Sequence, residues 1–271
     1  MQVTFQDIQK TGINNKPIVC ITTYTAPMAQ IIDPLVDIML VGDSLGMTIY
    51  GFDSTVPVTI DMMIAHGDAV VRNAKHALVV VDMSYGTYEH SKEQALESAK
   101  RIMEKTKCAA VKLEGGVELA DTIKHLVDNG IPVMGHIGLM PQSVEKMGGF
   151  KIQGRDDAGA KKVMNDALAV EKAGAFSVVI EGTIEPVARD ITNALKIPTI
   201  GIGASPACDG QVLVLDDVIG TFTAFSPKFA KRFTDVKPVI IEAVTQYATD
   251  VKARVFPAES NCFYSKVKSE A

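Results

Sequence analysis

The feature that most limits what this chain can fold into is a recurring pattern rather than a recurring motif. Short apolar runs, nearly continuous and rich in Val and Ile, alternate with longer amphipathic segments from one end to the other. The runs cover 17–22, 36–42, 77–82, 109–114, 132–137, 175–181, 198–203 and 218–225. A strand that is apolar along its whole length has to be covered on both faces, the condition of a parallel sheet wrapped by helices. Helical periodicity falls between the runs, at 60–74, 91–105, 117–129, 157–173, 186–195 and 238–254, with shorter candidates near 27–32 and after Ser205. Thr59 stands where a helix N-cap belongs, and Gly130 and Gly174 stand where helix C-termini favour a left-handed residue. Eight strand-then-helix units predict a single (β/α)8 TIM barrel over 1–271, with an open doubly wound sheet as the alternative. A length of 271 residues is ordinary for one such barrel, and the segment from about 257 onward reads as a polar, irregular tail.

The formal net charge is −5. That balance gives no electrostatic reason to expect nucleic acid or an anionic membrane as partner. An anionic substrate then needs local help, from a metal or a well-placed lysine. The four cysteines, Cys20, Cys108, Cys208 and Cys262, are far apart and form no CxxC pair. This disfavours a zinc cluster or a dithiol redox motif and suits a reducing cytoplasm. The opening MQVTFQDIQKTG does not read as a signal peptide, and no apolar run approaches the roughly 20 residues of a membrane span. The expectation is a cytoplasmic protein.

In a parallel barrel, chemistry gathers at the C-terminal strand ends. Here those ends carry charge: Asp43-Ser44 after the second run, Asp82 after the third, Lys112 and Glu114 in the fourth, His136 in the fifth and Glu181 in the sixth. Side chains two apart on a strand share a face, so Lys112 and Glu114 point one way and Val111 and Leu113 the other. Asp82 likewise sides with Val80, and Glu181 with Val179. Taken singly, each residue has a plain structural use, as a cap, a turn or a paired strand charge. Taken together, four carboxylates, a lysine and a histidine at one mouth point to a site. Carboxylates held close repel, and a divalent cation relieves the repulsion. Hard oxygen donors without thiolates select Mg2+ over zinc. Such an ion suits a 2-oxo acid, and a remaining carboxylate suits proton removal beside the ketone.

At these residues the chain resembles the ketopantoate hydroxymethyltransferase family. The resemblance runs through VGDSLGMTIYGFDSTVPVTIDMM (41–63), AVKLEGG (110–116), GIPVMGHIGLMPQSV (130–144), GGFKIQGR (148–155), AGAFSVVIEG (173–182), IPTIGIGASPACDGQVLV (197–214) and PKFAKRF (227–233). It implies a barrel of the phosphoenolpyruvate/pyruvate type. It implies transfer of a hydroxymethyl group from 5,10-methylenetetrahydrofolate to 3-methyl-2-oxobutanoate, giving 2-dehydropantoate in pantothenate synthesis. By the same resemblance, Asp43, Asp82 and Glu114 form the Mg2+ site. Asp43, Ser44, Asp82 and Lys112 contact the oxo acid, Glu181 accepts the proton, and His136 has a supporting role. A homo-oligomer, a decamer, is likewise implied. The chain departs from the usual family wording at Met83-Ser84-Tyr85-Gly86, at Ser205-Pro206-Ala207 and at Asp216.

Two rival readings remain at this point. One is a Mg2+-dependent lyase or mutase on the same barrel; such enzymes use a cysteine or related motif in a mobile loop, and 147–155 contains no cysteine. The other is an inert barrel that only binds metabolites, which the retention of every charged candidate argues against.

Overall fold

In the computed structural model, which describes residues 2–13, 16–144, 148–221 and 227–264, eight parallel strands close into a barrel in sequence order. The strands are β1 (Ile18–Thr22), β2 (Ile38–Val41), β3 (Leu78–Asp82), β4 (Ala110–Glu114), β5 (Val133–Gly138), β6 (Ser177–Glu181), β7 (Thr199–Ile202) and β8 (Gly210–Leu213). The ring shuts where Ile18 of β1 pairs with Gly210 of β8. The helices are α1 (Phe5–Ile13), α2 (Ala26–Ile32), α3 (Leu45–Thr48), α4 (Ile60–Val71), α5 (Lys92–Thr106), α6 (Ala120–Asp128), α7 (Asp157–Lys172), α8 (Glu185–Ala194), α9 (Leu215–Ile219) and α10 (Lys237–Lys252). None of the helices described is long and apolar enough to cross a membrane.

The two-residue period of the strands sorts the apolar residues into two cores. Ile38, Leu40, Leu78, Val80, Met134 and Val179 fill the barrel interior. Met39, Val41, Val79, Val81, Val111 and Leu113 face the helices. The interior is therefore packed below and charged only at its mouth. Its lower end is stoppered by α1, which inserts Ile8 at 1% exposure and lays Phe5 on Phe176 with ring centroids 5.8 Å apart. Periodicity did not predict α1, because its nine residues carry only a brief apolar stripe.

The caps follow the sequence. Thr59 Oγ1 accepts the Met62 N–H at 3.3 Å at the start of α4, and Ser91 Oγ accepts that of Gln94 at 3.1 Å at the start of α5. Gly130 and Gly174 take φ of 80° and 96° just beyond α6 and α7, where a side chain would be strained. The helix expected over 117–129 opens with a 3-10 turn, Val117–Leu119, before α6 begins.

The eighth strand is a correction. It is Gly210–Leu213 and not 218–225; residues 218–219 lie in α9, and 222–225 fall outside the described residues. A β-carbon at Gly210 would stand 2.5 Å from the Ile18 carbonyl oxygen, so the closing strand starts on a residue of low strand propensity. The helix expected after Ser205 does not form, because that segment turns directly into β8.

Among the described residues, this arrangement leaves one flank of the barrel uncovered. Strands β2 to β7 are buried throughout apart from Glu181. On β1 and β8, Val19 is 48% exposed and its register partner Gln211 is also exposed. Meanwhile α10 buries none of its residues, and Ile240, Val244, Tyr247 and Val251 form an exposed apolar stripe at helical spacing.

Below the strands, Asp33 ties the α2 turn to the start of β3. Its carboxylate accepts the backbone N–H groups of Lys75, His76 and Ala77 at 2.9–3.0 Å. Burial opposes the charge, but the three donors outweigh it and hold the carboxyl below its ordinary value. Asp33→Ala should cost about 1–3 kcal/mol of stability in urea unfolding, since the three donors lose their acceptor. A depressed folded-state pKa contributes fully above the unfolded value. The gap between wild type and variant should therefore be full above about pH 4 and shrink as the pH falls below it.

Candidate active site

Strand register sets the site. Asp82 lies beside Lys112 across β3 and β4, Glu114 beside His136 across β4 and β5, and Gly138 beside Glu181 across β5 and β6. Asp43 and Ser44 follow β2 after Gly42. All seven residues expected from the sequence therefore stand on one mouth. Asp43, Asp82, Lys112, Glu114 and His136 are buried, Ser44 is half-buried, and the Glu181 side chain is 14% exposed.

Lys112 sits at the centre. Its Nζ lies 3.0 Å from Asp82 Oδ1 and 3.3 Å from His136 Nδ1. The first contact is an ion pair without hydrogen-bond alignment, so Asp82 Oδ1 has no hydrogen bond among the described residues. Asp82 Oδ2 accepts the Asp43 N–H at 3.1 Å. His136 Nε2 lies 2.9 Å from the Leu139 carbonyl oxygen, which can only accept, and 3.4 Å from Glu181 Oε2. That network assigns the ring proton to Nε2 and leaves Nδ1 to accept from the ammonium. His136 thus stands between Lys112 and Glu181. Ser44 Oγ meets the Tyr24 hydroxyl at 2.8 Å. Gly42 leaves room for it, since a β-carbon there would come within 2.9 Å of that oxygen.

The charges do not balance. Burial, and then the neighbouring Asp82 carboxylate, push the Asp43 carboxyl up to about 7. Burial and then Asp43 push Glu114 well above its ordinary value. Burial disfavours the Lys112 ammonium, yet Asp82, Glu114 and Asp43 together hold its pKa above the usual lysine value. One ammonium faces three buried carboxylates, and the excess of hard oxygen donors suits a hard divalent cation. Among the described residues no three His, Cys, Asp or Glu side chains form a ready-made ligand cage. An open acidic set of this kind matches an ion that keeps water and substrate oxygens in its shell.

Sequence reasoning missed Gln142 and Tyr88. Gln142 comes from the 3-10 turn Pro141–Ser143, inside the long segment between β5 and α7; residues 145–147 of that segment are outside the described residues. Its Nε2 donates to Asp43 Oδ2 at 2.8 Å and to the Met83 carbonyl oxygen at 2.9 Å, and its backbone N–H donates to Glu114 Oε2 at 3.0 Å. The Tyr88 hydroxyl accepts the Glu114 N–H at 3.3 Å and donates to Gln142 Oε1. A neutral loop residue carries no charge or period to mark it; the one available signal was its place in the GHIGLMPQSV stretch (135–144). Farther along the loop, Gln153 bridges to Thr183, two residues after Glu181.

A family model described as ketopantoate hydroxymethyltransferase matches residues 2–259. The chain is 56% identical to the 3-methyl-2-oxobutanoate hydroxymethyltransferase of Paramagnetospirillum magneticum, over 97% of this chain and 95% of that one. It is 58% identical to the enzyme of the same name from Rhodospirillum rubrum, over 92% of this chain and 89% of that one. Among solved structures it resembles a phosphonopyruvate hydrolase in complex with oxalate and Mg++, with a TM-score of 0.62 and 8% identity over 98% of this chain and 93% of that one. It also resembles the phosphoenolpyruvate phosphomutase of Streptomyces platensis subsp. rosaceus, with a TM-score of 0.61 and 13% identity over 93% of this chain and 88% of that one. At those identities the structural likeness establishes the fold alone, whereas the sequence likeness spans nearly the whole chain. The chain belongs to the ketopantoate hydroxymethyltransferase family.

Proposed function

We propose that this mouth joins 3-methyl-2-oxobutanoate to the one-carbon unit of 5,10-methylenetetrahydrofolate, with water, to give 2-dehydropantoate and tetrahydrofolate. Family membership favours this transfer over the lyase or mutase reading. The observation that carries the chemistry is the buried excess of carboxylate around Lys112. Asp43, Asp82 and Glu114 are the residues that would hold Mg2+. When bound, Mg2+ supplies a Lewis acid that chelates the oxo acid and polarises its ketone.

Lys112 and Ser44 then face the substrate with an ammonium and a hydroxyl, and Lys112 offsets the substrate's negative charge. Glu181 stands on β6, across His136 from the acid cluster, with its side chain partly open. A carboxylate outside the metal set has its oxygens free of the cation, so Glu181 takes the C3 proton onto a carboxylate oxygen. The carbon so freed forms the new bond to the folate-borne methylene; both methylene–nitrogen bonds break with their electrons left on the folate nitrogens, water supplies the hydroxyl, and the C3 proton and the second proton of water end on those nitrogens. His136, anchored on the Leu139 carbonyl, stands beside the base in a supporting role.

We also read the bare flank and the stripe on α10 as two halves of one contact between copies. One chain has a β1–β8 face without a helix, and the same chain has a helix without a face. A second copy's α10 fits the gap, and reciprocal exchange satisfies both copies. This supports self-association, and a decamer is the assembly that the family resemblance implies.

Three outcomes are expected. Glu181→Gln should slow exchange of the C3 proton with deuterated water by about 10²–10⁴-fold while Mg2+ and oxo-acid binding persist in calorimetry; wild-type exchange would remove Glu181 from the base role. Asp82→Asn should weaken Mg2+ and oxo-acid binding together, by about 10-fold or more, and retention of both would count against the chelate. Val244→Glu with Tyr247→Glu should reduce the particle mass in light scattering while the far-ultraviolet dichroism stays that of a folded barrel. An unchanged mass would reject the helix exchange.

A further inference from the structure

Gln142 does more than fill space at the acid cluster. Its amide orientation is settled by its neighbours: Tyr88 accepts the Glu114 N–H, so its own hydroxyl proton goes to Gln142 Oε1. Nε2 is left facing Asp43 Oδ2 and the Met83 carbonyl oxygen, which accept its two N–H groups. Through the side chain Gln142 therefore occupies Asp43 Oδ2, and through the backbone it occupies Glu114 Oε2. The remaining oxygen of Glu114 is 3.8 Å from His136 Nδ1, beyond a hydrogen bond. Thr55 also stands by the Asp43 carboxyl, but its hydroxyl has no aligned hydrogen-bond partner among the described residues. Among those residues no hydrogen bond commits the second oxygen of either acid. Gln142 itself is 4% exposed and has all of its amide hydrogen-bonded.

The number of free oxygens per carboxylate bears on which ion fits. Mg2+ is small, demands near-octahedral geometry and takes carboxylates through single oxygens, keeping water in its shell. Ca2+ gathers six to eight oxygens at longer range and readily takes both oxygens of one carboxylate. We propose that Gln142, held by Tyr88, is a specificity-determining residue: by occupying one oxygen each of Asp43 and Glu114 it restricts both to one-oxygen ligation and tilts the site toward Mg2+ and away from Ca2+. This rests on reading Asp43, Asp82 and Glu114 as the cation site.

The test is calorimetric titration of the full chain, without substrates, by Mg2+ and Ca2+ separately. Gln142→Met removes the side-chain donor and keeps the backbone N–H on Glu114. Affinity for Ca2+ relative to Mg2+ should rise about tenfold in this variant, as changes behind metal ligands commonly do. Tyr88→Phe, which releases the amide and the Glu114 backbone N–H but leaves both carboxylates and Gln142 in place, should move the ratio the same way by less, and it decides the matter if Gln142→Met does not fold. A merely structural role would lower the melting temperature and leave the ratio alone. A wild-type ratio in a folded variant overturns the role of Gln142 while leaving the cation site standing. A wild-type chain that binds neither ion overturns the cation site and this inference with it.

Discussion

The site depends on one buried ammonium. Lys112 carries a positive charge to the mouth of a barrel whose interior below it is largely apolar, and it lies 3.0 Å from Asp82 and 3.3 Å from His136. A charge in such a place persists only if partners repay its lost hydration. The partners here come from both adjoining strands, so the charge and the strand register hold each other in place. If β4 slid by one residue, Lys112 and Glu114 would turn into the helix layer and Val111 and Leu113 into the mouth. Both arrangements would bury charge against hydrocarbon, which is how a hydrogen-bonded ring with eight similar strands settles on one alignment.

Much of this was legible in the residues. Charged side chains spaced two apart at the ends of apolar runs have a single consistent placement once the strands are parallel and closed. That logic located Asp82, Lys112, Glu114 and Glu181. What it did not reach shares one property: absence of pattern. β8 begins at a glycine demanded by a close backbone approach, α1 is brief, and Gln142 is an uncharged side chain delivered by a turn. Their roles come from tertiary contacts between segments far apart in the chain, for which local periodicity has no term.

The departures from the family's wording fit this picture. At Met83 the site uses only the backbone carbonyl, which any residue supplies. Ser205 donates to Glu185 Oε1 at 2.8 Å and accepts the Ala207 N–H at 3.0 Å, so its hydroxyl shapes the turn before β8. Asp216 accepts the Thr221 hydroxyl at 2.6 Å at the foot of α9. In each case the variant position has a scaffolding task, and the charged residues of the mouth are untouched.

The seam of the ring has a bearing on how the molecule is made. Ile18 to Ile21 pair with Gly210 to Leu213, and the Thr22 hydroxyl accepts the Leu215 N–H across a sequence separation of 193. A polypeptide leaving the ribosome cannot zip that seam until most of its length has emerged. Until then the inward faces of the earlier strands stay open to solvent and to neighbours. Contacts between distant segments are slow to form, and open apolar edges invite association during the delay. The short closing strand and the amino-terminal stopper therefore place the last steps of maturation at opposite ends of translation.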